Sequence, residues 1–366
     1  MNRQVTIIVT VYNIEKHLDR FFECLRQQTY TAYEVLIIED GSEDNSLAVC
    51  RRYAKTDDRI RIIEHEHIGI SAARNLALRE IKTPLVTSLD GDDYFDKDYL
   101  KHLVDAQKKY SADWVLSNVI YVEEDGKEYD RFVHRAEGLT PQDGLPELFP
   151  ALLAESRLNF LYAKLYKAEY LKGIQVERDV RQGSDTMINI QYAARIHSVA
   201  VIEDYDYYYV RYRKRSVTSY KGDEYFRRIM RINRFIYDTA LENGFLNDAM
   251  ERAIDERVLL TARNATRRIV ETKGSKKTKF KKTLAIFNSE DYAWSYDRQK
   301  QAGNTESFDF EVIAPEAAKT FFYRCCSDWR ADEKGKKASS LRRKTPDFIF
   351  NAWHFIRVKT GTARRK

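Results

Sequence analysis

Four aliphatic, β-branched runs alternate with amphipathic helical segments in the first 110 residues, and this alternation limits the fold more than any other feature. The runs read VTIIVTV (Val5–Val11), YEVLIIED (Tyr33–Asp40), RIRIIEH (59–65) and PLVTSL (84–89). Continuous apolar strands are typical of parallel sheets that are buried on both faces. We therefore predict an α/β fold with a mostly parallel central sheet, built from βαβ units.

Each of these predicted strands is followed by a polar loop. The loops read YNIEK, EDGSEDNS, EHIGIS and DGDDYF. Open α/β sheets bind their ligands at the carboxyl ends of the strands. These loops are therefore the expected functional site.

The last of the loops contains three aspartates within four positions, Asp90, Asp92 and Asp93. Carboxylates this close repel one another unless each accepts hydrogen bonds or they share a cation. Acidic residues at the start of a helix explain Asp96 and Asp98, which we expect to cap the next helix. They do not explain Asp90 at a strand end, where an Asp-x-Asp pattern suits a divalent cation bound together with substrate phosphates.

Two further loop residues carry groups that suit a nucleotide. Asp40 ends the second strand, and its carboxylate could accept a hydrogen bond from a base N–H such as N3 of uracil. Arg74 lies in a predicted helix that begins near Ile70. It is either a solvated helix residue or, one turn inside a helix N-terminus that faces the cleft, a ligand of a diphosphate.

Helical patterns dominate after about Asp223, which predicts a second, helical region. We place a domain at 1–220, with halves 1–119 and 120–220, the helical region at 221–330 and a basic aromatic tail at 331–366. The segment Lys273–Lys282 is expected to interrupt the helices. We expect 332–347 to be flexible.

Composition narrows the function classes. A chain of 366 residues with 43% hydrophobic residues can supply two cores. No apolar run reaches the roughly 18 residues that a membrane-spanning helix needs, so we expect a cytoplasmic protein. The four cysteines show no metal-ligand spacing, and we expect them to be reduced.

The charge of +6 comes from the tail, which has eleven Lys or Arg against three Asp or Glu. Nucleic acid binding is one interpretation of this charge, but a basic tail on a near-neutral body points equally to an anionic membrane surface. We expect no nucleic-acid partner. The aromatic residues of the tail fit either an interfacial helix, which would make the protein peripheral to the inner face of the membrane, or a helix packed on the helical region or on a second copy of the chain.

The order and spacing of several segments resemble family 2 glycosyltransferases with a GT-A fold. The segments are VTIIVTVYNIEKHLDRFFECLRQQTY, YEVLIIEDGSEDNSLAVCRRYA, HIGISAARNLAL and VTSLDGDDYF. Such enzymes transfer a sugar from a nucleotide diphosphate donor with inversion, and similar members build bacterial surface polysaccharides. The resemblance implies a nucleotide-sugar donor, a glycan or lipid-linked acceptor and Mn²⁺ or Mg²⁺ as cofactor.

The resemblance also implies roles for individual residues. Tyr12 and Asp40 would hold the base, with uridine as the expected nucleoside, and Arg74 would contact the nucleotide or its phosphates. Asp90 would contact the ribose or sugar, Asp92 would bind the metal, and Asp93 would either support the metal site or cap a helix. Further residues follow in later segments: Asp185 as general base, and Arg213, Arg215 and Ser219 closing over the diphosphate. Without the resemblance, a helix N-cap or first-turn acid is the preferred interpretation of Asp185, and solvated surface is the more common role of such a basic cluster.

The sequence departs from the family pattern at three places. Glu39 stands where many relatives have Asp, Ser184 where many have Glu before the base, and HIGIS where an Asn-Gly-Gly turn is usual. There is no Gln-x-x-Arg-Trp sequence, so the expected enzyme is non-processive. Two alternatives stay open: a nucleotidyltransferase of similar fold, and a catalytically weak scaffolding subunit, which Ser184 would suit.

Overall fold

A computed structural model describes residues 3–133, 137–212, 222–301 and 318–327. The chain forms two compact units, one of Met1–Leu148 and Leu158–Val217, the other of Phe149–Arg157 and Thr218–Lys366. The domain boundaries predicted from sequence stay predictions. No described helix combines the length and apolar character that crossing a bilayer requires.

The helices and strands follow one another along the chain as the sequence pattern predicts for an α/β fold. They are β1 (Val5–Val11), α1 (Glu15–Arg26), β2 (Tyr33–Asp40), α2 (Ser46–Ala54), β3 (Ile60–His65), α3 (Ile70–Arg79), β4 (Leu85–Ser88), β5 (Tyr94–Phe95), α4 (Tyr99–Tyr110), β6 (Trp114–Leu116), β7 (Val119–Glu123), β8 (Glu128–Phe132), β9 (Gly138–Pro141), α5 (Leu145–Ala154), β10 (Lys164–Lys167), α6 (Ala168–Leu171), α7 (Ser184–Ala193), β11 (Ser198–Val201), β12 (Tyr207–Arg211), α8 (Gly222–Glu242), α9 (Asp248–Glu271), α10 (Lys276–Phe287) and α11 (Glu290–Gln301).

The larger sheet of the first unit has eight strands in the order β3-β2-β1-β4-β10-β6-β11-β9. Its first four strands are parallel, with Ile8 opposite both Leu36 and Ser88. Nearly every residue of β1 and β2 is buried. This burial on both faces is why these strands read as continuous apolar runs. Because the strands are parallel and in register, their following loops meet at one edge of the sheet.

A second, four-stranded sheet in the same unit has the order β5-β12-β7-β8. Strand β12 pairs with β7 in parallel and with the short strand β5 in antiparallel orientation. Strand β5 comes directly after the three aspartates. The acidic loop, which we define as residues 89–93, therefore runs from the larger sheet into the smaller one.

The second unit contains the long helices α8 and α9, which pack closely. A Cβ added to Gly222 would lie 2.1 Å from the carbonyl oxygen of Ala265, so only glycine permits this approach. The predicted interruption at Lys273–Lys282 was wrong over most of its length, because α10 begins at Lys276. The hydroxyl of Ser275 accepts a hydrogen bond from Thr278 N and caps this helix, and lysine is a good helix former.

The two sheets of the first unit are joined by Tyr207, and we expect its hydroxyl to contribute measurably to stability. It donates a hydrogen bond of 2.7 Å to the buried carboxylate of Asp93. Tyr207→Phe leaves that oxygen without this donor and should lower the free energy of unfolding by about 1–3 kcal/mol. Urea denaturation measures this difference.

The neighbouring Tyr208 supplies the matched control, because its hydroxyl donates to the exposed carboxylate of Asp96 at 3.1 Å. Tyr208→Phe should change the free energy of unfolding by no more than about 0.5 kcal/mol. Equal effects of the two substitutions would contradict the role of Tyr207 as the link between the sheets.

Candidate functional site

The acidic loop is held in place through Asp93. This side chain is 1% exposed and accepts hydrogen bonds from Tyr207 Oη at 2.7 Å and from Val210 N at 2.8 Å. Burial, followed by the charges of Asp92 and Asp90, raises its pKa well above the usual range. Helix α4 begins only at Tyr99, so Asp93 does not cap it. Asp93 is a structural link between the sheets.

The predicted capping of α4 by Asp96 and Asp98 was wrong. Asp98 stands at the N-cap position, but its carboxylate makes no capping hydrogen bond and instead accepts one from Thr29 Oγ1 at 2.6 Å. The carboxylate of Asp96 accepts from Tyr208. Tertiary contacts with Thr29, which follows α1, and with β12 replace the local caps that the sequence suggested.

Asp90 and Asp92 lie on the same acidic loop as Asp93 but differ from it in burial and in hydrogen bonding. Both are half-buried, and neither carboxylate accepts a hydrogen bond from any other residue that the structure describes. The backbone of the loop is fixed, because the carbonyl oxygen of Asp92 accepts hydrogen bonds from Arg20 and Tyr212, both at 2.7 Å. Rigidly placed carboxylates without such donors are the oxygen ligands that Mg²⁺ and Mn²⁺ prefer.

The pKa values of this pair have a common cause. Burial first, and then the charge of Asp92, raise the pKa of Asp90 to about 7, although the Arg74 guanidinium opposes the rise. Burial also raises the pKa of Asp92. Without a cation the loop therefore resists full ionisation near neutral pH, and a bound divalent cation would relieve the repulsion.

The residues proposed to hold a base lie together at the ends of β1 and β2. Tyr12 is 40% exposed and stacks on His67, with ring centroids 4.2 Å apart. Asp40 is buried, and its carboxylate accepts hydrogen bonds from Ile68 N at 2.7 Å and Gly69 N at 3.0 Å. Asp40 therefore shapes the loop before α3, and its buried carboxylate lies at the end of the strand next to the one that Tyr12 follows.

His67 was not among the residues expected from sequence. Its Nδ1 lies 3.0 Å from Asp40 Oδ2, so the ring contacts both proposed base-binding residues. The sequence signal for His67 was the HIGIS segment, which differs from the usual turn of the family. That difference alone does not predict that His67 contacts Tyr12 or Asp40. Glu39, another departure, accepts hydrogen bonds from Ser42 N at 2.8 Å and Gly41 N at 3.3 Å, and so forms the turn after β2.

Arg74 and Asp185 form an ion pair, although more than 100 residues separate them along the chain. Both Nη atoms of Arg74 bond the carboxylate of Asp185, with Nη2 at 3.2 Å from Oδ2, and Nη1 also bonds the hydroxyl of Ser184. Asp185 lies in the first turn of α7. Gly183, which precedes this helix, adopts the left-handed backbone conformation with a φ of 90°. The proposed base and a proposed donor ligand are thus in direct contact.

The basic residues Arg213, Arg215 and Ser219 lie outside the described residues, as does the tail 331–366. The structure describes β12 up to Arg211, which pairs with Glu123 of β7, and then Tyr212. The predicted closure over a diphosphate and the predicted membrane contact both stay predictions.

A second group of ligand types lies elsewhere in the first unit. One ligand atom from each of His102, Asp204 and Asp206 lies within 4.8 Å of the others. His102 Nδ1 is 2.7 Å from Asp206 Oδ2, and although burial opposes protonation, this hydrogen bond and the charge of Asp206 raise the pKa of His102. The group is satisfied as an ion pair.

Comparison with known proteins identifies the domain that carries the site. Residues 6–172 match the family model "Glycosyl transferase family 2". This part of the chain belongs to glycosyltransferase family 2. The match covers β1 to α6 and includes the acidic loop, Asp40 and Arg74, whereas Asp185 lies beyond it.

Several bacterial glycosyltransferases are similar over part of this chain. GlyA of Streptococcus pneumoniae is 37% identical over 115 residues, which cover 31% of this chain and 16% of GlyA. GlyG of the same species is 31% identical over 131 residues, 35% of this chain and 44% of GlyG. The poly(ribitol-phosphate) β-N-acetylglucosaminyltransferase TarS of Staphylococcus aureus is 25% identical over 264 residues, 69% of this chain and 42% of TarS. The chain spans less than half the length of each of these relatives.

The fold is also found in a solved structure. A crystal structure of a TarS fragment from S. aureus in complex with UDP-GlcNAc has a TM-score of 0.64 and 16% identity, covering 90% of this chain and 92% of that chain. This confirms the predicted GT-A fold with a helical C-terminal region.

The pKa of about 7 for Asp90 leads to a pH-dependent effect of Mg²⁺ on the glycosyltransferase domain. A carboxyl group whose pKa is raised by folding loses its contribution to stability as pH rises through the folded pKa. A divalent cation binds the ionised form. Mg²⁺ should therefore raise the unfolding temperature more at about pH 8 than at about pH 5.5, relative to EDTA.

Differential scanning fluorimetry of two Asp→Asn variants assigns this effect to a site. Asp92→Asn should abolish the shift at the higher pH, and Asp204→Asn in the His102 group should retain it. A shift that survives Asp92→Asn and disappears in Asp204→Asn would show that the cation binds in the His102 group and not in the acidic loop.

Proposed function

We propose that the chain is a non-processive, inverting glycosyltransferase that moves a sugar from a UDP-sugar to a hydroxyl of a glycan or lipid-linked glycan in bacterial surface polysaccharide synthesis. One observation carries the proposal: Asp185 on α7 forms an ion pair with Arg74 on α3, and the charges of both side chains act on Asp90 of the acidic loop. A carboxylate that suits a base thus lies near carboxylates that suit the cation of a donor. TarS, which is similar over 69% of this chain, is by name an N-acetylglucosaminyltransferase for a polymer.

The donor would lie along the edge formed by the ends of β1, β2 and β4. Tyr12 presents an exposed ring for stacking on the base, and the buried carboxylate of Asp40 lies at the end of the neighbouring strand, where it would accept a hydrogen bond from the base. Asp92, with Asp90 beside it, would hold Mn²⁺ or Mg²⁺. When bound, such a cation supplies positive charge to the two phosphates and so makes the nucleoside diphosphate a better leaving group.

Transfer would proceed by a single displacement at the anomeric carbon. The acceptor hydroxyl oxygen forms a bond to that carbon while the bond from the carbon to the β-phosphate oxygen breaks, and its electron pair leaves with the diphosphate. The hydroxyl proton passes to a carboxylate oxygen of Asp185. Attack on the face opposite the leaving group inverts the configuration. Helix α7, most of which is buried, would fix the base in the line of attack.

The role of Asp185 can be tested through donor hydrolysis, because the same base would activate a water molecule in place of the acceptor. We expect Asp185→Asn to reduce release of UDP from the best donor in a UDP-sugar screen with Mn²⁺ by at least about 100-fold. The amide preserves the size of the side chain and removes only its ability to take the proton. Coupled detection of free UDP gives the rate.

Glu169→Gln is the matched control, because Glu169 is an exposed acid in the first turn of another helix, α6. It should leave the rate unchanged. A folded Asp185→Asn protein that retains the parent rate within a few-fold would remove Asp185 from the role of base. Release of pyrophosphate from a nucleoside triphosphate would instead identify a nucleotidyltransferase.

A further inference from the structure

The ion pair between Arg74 and Asp185 occupies the charged groups of both side chains. It therefore bears on the proposed function, on which this inference rests. The two Nη atoms of Arg74 contact both oxygens of the Asp185 carboxylate, and the two side chains are only 13% and 20% exposed. Two-point contact between a guanidinium and a carboxylate is the strong form of this interaction. Partial burial reduces its screening by solvent and salt.

A general base needs a free oxygen that can accept a proton. In this arrangement both oxygens of Asp185 already accept hydrogen bonds from Arg74, so an acceptor hydroxyl would have to share an oxygen with the guanidinium. The paired arrangement is therefore unsuited to the transfer step. Catalysis requires Arg74 to weaken or leave this contact.

The position of Arg74 explains why it would leave Asp185 when a donor binds. Its charge also acts on Asp90 of the acidic loop, so the guanidinium bonded to Asp185 also lies near the carboxylates proposed to hold the donor's cation. A diphosphate carries more negative charge than one carboxylate, and its oxygens match the planar donor set of arginine. A donor bound along the acidic loop would compete directly with Asp185 for Arg74.

We propose that Arg74 exchanges partners, holding Asp185 in the donor-free enzyme and moving to the diphosphate when a nucleoside diphosphate-sugar binds. The exchange makes the base available only when a donor is present. Because coupling between two sites is reciprocal, the bond to Asp185 must also oppose binding of the nucleoside diphosphate.

Ser184 helps to keep this exchange feasible. Its buried hydroxyl accepts a hydrogen bond from Arg74 Nη1 but adds no charge. Arg74 is thus attracted by one carboxylate at this point of α7. A second carboxylate at position 184 would hold the guanidinium more strongly and raise the cost of its release.

The exchange predicts an effect on binding that is separate from catalysis. Asp185→Asn removes the charge that competes for Arg74, so UDP with Mg²⁺ should bind about tenfold more tightly to this variant than to the parent. Arg74→Gln should bind UDP more weakly than the parent. In the Arg74→Gln background, Asp185→Asn should change the affinity by less than about twofold, because no guanidinium remains to be released. Isothermal titration calorimetry measures all four proteins.

Two controls make the comparison specific. Glu80→Gln removes a carboxylate from another arginine pair, Arg61 with Glu80 at 2.8 Å, and should not change UDP affinity. Asp185→Ser repeats the test with a different side chain. Thermal unfolding of each variant confirms that it is folded.

Three results would overturn the exchange or the function beneath it. An unchanged UDP affinity in both Asp185 variants means that Asp185 does not compete for Arg74. An equal gain from Asp185→Asn in both backgrounds indicates a general charge effect, and the exchange is then wrong. Failure of the parent protein to bind UDP or any other nucleoside diphosphate would overturn the proposed function as well.

Discussion

The buried carboxylate of Asp93 joins the two sheets of the first unit, and the geometry of the site depends on this link. One of its oxygens accepts a hydrogen bond from Tyr207 and the other from Val210 N, so β12 is fixed to the loop that follows β4. These two hydrogen bonds hold the loop that also carries the half-buried side chains of Asp90 and Asp92. Burial in this place raises the pKa values of both carboxyl groups, and the charge of Asp92 raises the pKa of Asp90 further. The proposed cation site is therefore held in place before its ligand arrives.

Much of the fold could be predicted because the information is local. Continuous apolar runs indicated the parallel strands, and the rule that ligands bind at carboxyl ends selected one edge of the sheet, where the acidic loop, Tyr12 and Asp40 lie. The resemblance to glycosyltransferase family 2 is confirmed over residues 6–172. Local patterns misled where two signals compete. The charge of the lysine-rich segment after Lys273 suggests a break, whereas Ser275 followed by Thr278 carries the signature of a helix start.

Long-range contacts in the site could not be predicted from the sequence. Arg74 and Asp185 belong to separate helices, and nothing in the spacing of either segment indicates that they meet. The same is true of His67, whose ring reaches both Tyr12 and Asp40. A sequence presents each of these side chains as an individual group. The structure shows that they are paired, so a ligand that bound these side chains would rearrange existing contacts, and its affinity would depend on the free energy needed to break them.

The most direct test of the central claim is a crystal structure with UDP and Mn²⁺, in which anomalous scattering locates the cation. We expect the Mn²⁺ peak at the carboxylate of Asp92, beside the diphosphate, with Arg74 turned from Asp185 towards the phosphates. A peak among His102, Asp204 and Asp206, or a diphosphate bound while Arg74 keeps both contacts to Asp185, would contradict the roles proposed for the acidic loop and for Arg74.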